Sequence, residues 1–93
     1  MSLSFQQRLK KVMAGGNLRV ADLARWFERP HSTVTSWVND GWEPAGGPQD
    51  VEAVMRLLTV LEVLIKRHAS FPVPRLSSKD RIEYMGTIRA AVR

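Results

Sequence analysis

"LARWFERPHSTVTSWVND", residues 23–40, is the stretch that decides the fold. Two apolar clusters flank Arg29-Pro30-His31. Leu23, Ala24 and Phe27 recur at helical spacing and predict an inner stripe on a helix over about residues 20–28. Val34, Trp37 and Val38 do the same for a second helix over about residues 31–40, which Asp40-Gly41 ends. Only a short turn separates the two. Helices crossing steeply through a tight turn need a small residue where their backbones meet, and Ala24 supplies it. Val34 and Trp37 then wedge the second helix against the first. One face is thereby fixed to the body and the other is free to project, as a helix that enters a major groove requires.

Working outward, Phe5, Leu9, Val12 and Met13 predict an amphipathic helix over about residues 4–14. Ser4 and Gln7 fit a capping box, and Gly15-Gly16 is read as the stop. The tract "GWEPAGGPQD" at 41–50 holds two Pro and three Gly and reads as a loop. A fourth helix over about residues 49–67 is apolar around most of its circumference, which predicts burial on nearly all sides. It is either the central helix of the bundle or part of an oligomer interface. In the second case Leu57, Leu61, Leu64 and Ile65 carry the contact, joined by Ile82 and Met85 of the last helix. "SFPVPRL" is an extended connector because Pro72 and Pro74 block helix. Ser77 or Ser78 caps a last helix to about Val92, with Ile82, Met85, Ile88 or Arg89, and Val92 on its apolar side. The "KDRIE" run at 79–83 reads as a solvated face. The expected organisation is one compact unit over residues 1–70, followed by a connector and helix over 71–93 that pack on it or on a partner subunit.

The composition narrows the function. The chain has 93 residues, 14 Lys and Arg against 9 Asp and Glu, a formal charge of +5, and no cysteine. A basic balance in so short a chain favours nucleic acid over acidic protein or membrane as partner. Without Cys there is no disulfide framework and no thiolate zinc site. His31 and His68 lie far apart with no Cys beside them, so no metal site or other cofactor is expected. No Ser/His/Asp set, paired carboxylates or nucleotide loop stands out, and the reading is not an enzyme. The N-terminus has no apolar leader region, and the hydrophobic tract 51–65 carries Glu52, Arg56 and Glu62. A cytoplasmic protein with no membrane partner and no small-molecule ligand is expected.

The stretch resembles the helix-turn-helix family of phage and bacterial regulators, including the lambda-repressor-like fold. Val20-Ala21-Asp22-Leu23-Ala24 is similar to the family's first helix. Ser32-Thr33-Val34-Thr35-Ser36-Trp37 is similar to its recognition helix, and Asp40-Gly41 with Pro44 to its exit. The match is close over about residues 18–44, and the order of helices extends a weaker likeness to the whole chain. It implies an all-α bundle of about five helices that binds duplex DNA as a homo-oligomer. Three positions depart from the pattern. Glu28 stands where the family has Gly, Arg29 where it has a small apolar residue, and Pro30 where it has a Ser or Thr cap. Because Pro can begin a helix, the second helix is expected to start a residue early.

Carried onto this chain, the resemblance puts His31, Ser32, Thr35, Ser36 and Asn39 against bases. A helical wheel independently turns Ser32, Ser36 and Asn39 outward, with Thr35 on the flank. Asn39 suits an adenine or a helix cap equally. Arg19, Arg25 and Arg29, with Thr33 beside them, are the expected phosphate contacts. None of the base-facing residues supplies the bidentate arginine–guanine contact, worth about 1–3 kcal/mol of discrimination. Trp26 and Trp42 flank the motif, where partial burial competes with stacking on a base or sugar. Three functions fit: a small transcriptional regulator, a DNA-recognition subunit of a packaging machine similar to phage small terminases, or a protein-interaction adaptor that does not bind DNA.

Overall fold

The computed structural model describes residues 3–92, and all the regular structure in them is helical. The helices are α1 (Phe5–Gly16), α2 (Val20–Phe27), α3 (His31–Asn39), α4 (Pro48–Lys66) and α5 (Ser78–Ala91). Three of the starts have a plain local cause. Ser4 and Gln7 close the capping box that begins α1, with bonds of 3.1 and 2.9 Å. Gly47 and Pro48 open α4, where a missing N–H does no harm. Ser77 Oγ accepts from the Asp80 N–H at 3.2 Å and caps α5.

The glycines expected to stop α1 lie inside it. Asn17 takes the left-handed cap instead, at φ 54°. Gly15 and Gly16 allow a close approach between helices: a Cβ on either would come within 3.1 or 3.0 Å of the Ile65 side chain of α4. Ile65 is thus used inside the chain. Arg8 adds a polar tie between α1 and α4, reaching Glu62 at 3.0 and 2.6 Å. The bond to Glu62 holds the Arg8 guanidinium pKa above its ordinary value.

α2 is the hub, packing on α3, α4 and α5, while α1 packs on α3 and α4. Of the two positions expected for α4, central helix or oligomer interface, the first falls to α2 instead. Only Val54, Leu58 and Leu61 of α4 are buried, and Val63 is 40% exposed. Met55, Leu57, Val60, Leu64 and Ile65 are half-buried against the core, so burial is graded around the helix and not complete.

The expected interface residues divide accordingly. Leu61 and Met85 belong to the core of the single chain and have no surface to offer a partner. Leu57, Leu64 and Ile65 are half-buried against that core, and Ile82 is 45% exposed. On α5 the inward register starts one residue earlier than the apolar pattern indicates. Arg81 is buried in place of Ile82, so the 79–83 run is not wholly a solvated face.

The proline connector adds to the same core. Phe71 and Val73 are buried. The Val73 N–H donates to the Gly16 carbonyl at 2.8 Å, and Asn17 Nδ2 donates to the Val73 carbonyl at 2.8 Å. Of the two placements expected for the connector and last helix, the chain shows them packed on the preceding unit. α5 continues from this pinned connector onto α2.

Candidate nucleic-acid interface

α2 and α3 are joined by residues 28–30. Leu23, Trp26 and Phe27 of α2 and Val34, Trp37 and Val38 of α3 are buried, with Ala24 half-buried between them. Trp37 sits edge-on to Phe5 at 5.4 Å and to Phe27 at 5.8 Å, which joins α1, α2 and α3 through aromatic contacts. Gln6 Nε2 donates to the Val38 carbonyl at 2.8 Å and pins the far end of α3 to α1. Trp26 is buried completely, its indole N–H donating to the Leu57 carbonyl at 3.0 Å, so it has no face for a base.

The turn follows from its unusual residues. Glu28 adopts the left-handed conformation, φ 55°, at the position where the resemblance expects glycine. The Arg29 N–H donates back to the Ala24 carbonyl at 3.0 Å. Pro30 precedes α3 as its N-cap, with ψ 146°, and does not begin the helix early. Its carbonyl accepts from the Val34 N–H at 3.2 Å. Proline has no side-chain acceptor, so the first turn of α3 carries no side-chain cap. The positive end of the α3 dipole faces outward beside His31 and Ser32, both exposed.

On the outer face of α3, His31, Ser32 and Asn39 are exposed and Thr33, Thr35 and Ser36 are half-buried. Thr35 Oγ1 donates to the His31 carbonyl at 2.9 Å. Its hydroxyl proton is therefore engaged, leaving lone pairs and a methyl group for a ligand. Asp40 takes the C-cap position, its N–H donating to the Ser36 carbonyl at 2.9 Å, so Asn39 is not the cap.

The expected phosphate contacts are not all neighbours. Arg29 lines one depression of about 430 Å³ with Ser32, Thr33 and Ser36. Its Nη1 donates to the Phe27 and Glu28 carbonyls, both at 3.2 Å, which orients the guanidinium over the turn. Arg25 faces a second, larger cleft that Arg29 also borders. Arg19 lies at the opposite end of α2, where its N–H donates to Asp22 Oδ2 at 2.9 Å. Trp42 and Glu43 join the depression around Ser32 and Ser36. Trp42 is 66% exposed and not partly buried as expected. Its place beside α3 was signalled only by the Pro- and Gly-rich loop that carries it.

Among the described residues no cluster of His, Asp or Glu could hold a metal ion. No helix among them is long and apolar enough to cross a membrane. The chain matches no protein-family model, no curated protein and no solved structure.

Proposed function

We propose that this protein binds duplex DNA through a helix-turn-helix formed by α2 and α3, with α3 in the major groove, as a small transcriptional regulator. The observation that carries the reading is the division of α3 into two faces. Val34, Trp37 and Val38 hold it to the core, while His31, Ser32, Ser36 and Asn39 are left toward solvent or half-covered. The uncapped first turn and the oriented Arg29 favour anionic oxygens at the end of α3 nearest the turn. Ser, Thr and Asn side chains can bond base edges, and the Thr35 methyl can meet a thymine methyl. With no arginine aimed from α3 at guanine, discrimination per protomer is modest. Affinity then rests on phosphate contacts and on copies of the chain acting together. The exposed apolar residues Val63 and Ile82 support such self-association. A regulator of this kind acts in the cytoplasm of a bacterium or a phage-infected host.

Titrating a random duplex into isotope-labelled protein tests the reading. Amide resonances of residues 29–39 should move first and furthest. Perturbation confined to α1 or α5 would overturn it. Native mass in the same solution separates a dimeric regulator from a ring of eight or more subunits, the state that favours a packaging role.

A further inference from the structure

α4 and α5 both pack on α2 but not along one another, and the space between them is a cleft of about 800 Å³. The core residues Phe27, Val54 and Met85 lie beneath it, and the apolar surface it presents comes from the half-buried Leu57, Val60 and Val92. Its walls carry small residues: Ala53 on α4, and Gly86 and Ala90 on α5. A Cβ placed on Gly86 would meet nothing within 4 Å. α4 borders the cleft from Ala53 to Val60, and α5 with its C-cap from Met85 to Val92. At about 1.5 Å rise per residue, each wall is about 10 Å long, or two helical turns.

The rim is cationic. Arg25, Arg29, Arg56 and Arg89 surround the cleft, and the one acid among its lining residues, Glu28, pairs with Arg89 at 3.3 Å. Arg89 is further fixed by a bond of 2.8 Å to the Trp26 carbonyl. Among the described residues, Arg25, Arg29 and Arg56 have no carboxylate partner.

We propose that this cleft receives an acidic amphipathic helix from a partner protein. Two helical walls with small residues let a third helix approach to the usual packing distance of about 8–10 Å. The apolar stripe of the incoming helix would cover Leu57, Val60 and Val92, and its flanking carboxylates would face Arg25, Arg29 and Arg56. Charge complementarity disfavours a second copy of this chain, whose net charge is +5. Arg25 and Arg29 are also the phosphate contacts of the proposed DNA-binding face, so a bound duplex would compete for them, whereas Arg56 serves the cleft alone.

The probe is a synthetic helix-forming peptide of about four turns, with Leu on one stripe and Glu elsewhere. Its control carries Lys for every Glu. Titrated into the full labelled chain, the Glu peptide should bind with micromolar affinity and shift amides of residues 53–57 and 86–90. The Lys peptide should not bind. Arg56→Glu should weaken the Glu peptide at least tenfold. Gly86→Leu, whose Cβ meets no atom within 4 Å, should abolish binding while the helical circular-dichroism spectrum persists. Equal binding of the two peptides, indifference to both variants, or shifts that map elsewhere would overturn the proposal. So would a self-associated chain that Gly86→Leu converts to monomer.

Discussion

Asp22 and Arg81, 59 residues apart in sequence, meet inside the protein with Oδ2 and Nη2 2.5 Å apart. Their side chains are 2% and 5% exposed. The same Asp22 oxygen accepts the Arg19 N–H that begins α2, and the same Arg81 nitrogen donates to the Asn17 carbonyl at 2.7 Å. One pair therefore joins the end of α1, the start of α2 and the first turn of α5. Arg81 Nε is buried with no partner, so the arrangement is incompletely satisfied.

A double-mutant cycle measures this pair. Removing one partner leaves an uncompensated buried charge, so Asp22→Asn should cost about 3–5 kcal/mol in urea unfolding. The double variant Asp22→Asn with Arg81→Met should recover much of that loss, because the stranded guanidinium is gone. Additive losses would show that the two residues act separately.

Trp37 tests the packing that holds α3. It is 3% exposed and touches Phe5 and Phe27 edge-on. Trp37→Ala should lower stability by about 3–5 kcal/mol. An unchanged melting temperature would remove Trp37 from the core and α3 from its place.

The left-handed backbone of Glu28 makes a prediction of opposite sign. A side chain at φ 55° carries strain of about 1–2 kcal/mol that glycine does not. The exposed carboxylate contributes little through Arg89. Glu28→Gly should hold or raise the melting temperature, and Glu28→Val should lower it. A Val variant as stable as the Gly variant would show that the turn takes another conformation in solution.

Ser36 tests the proposed reading face. It is half-buried on the outer side of α3 beside Arg29 and Ser32. Ser36→Glu places a carboxylate where the proposal has base edges and phosphates, and should abolish duplex binding with unfolding unchanged. Unaltered affinity by fluorescence anisotropy would mean that another face binds.

Much of the fold is legible in the sequence because it depends on local periodicity. The burial of Leu23, Phe27, Val34, Trp37 and Val38 follows from helical spacing, and the Ser4–Gln7 box from its two residues. What is not legible depends on distant partners. Arg81 sits in a run that looks solvated, and Asp22 and the Asn17 carbonyl, folded against it, turn it inward. Gly15 and Gly16 resemble a helix stop because the approach of Ile65 lies far along the chain. The apolar circumference of α4 suggests full burial, yet periodicity cannot say how many neighbours a helix has. The site has the same limit. The outward side of α3 can be read from a wheel, whereas the exposure of Trp42 and the separation of Arg19 from Arg29 need the folded chain.

The proposal of DNA binding is tested most directly by the affinity of the full chain for a random duplex, measured against salt concentration. If Arg19, Arg25 and Arg29 each neutralise one phosphate, log K should fall against log salt with a slope of about −3 per protomer. No binding at low salt, or a flat slope, would contradict the account and leave the α2–α3 pair as a scaffold for contacts with protein.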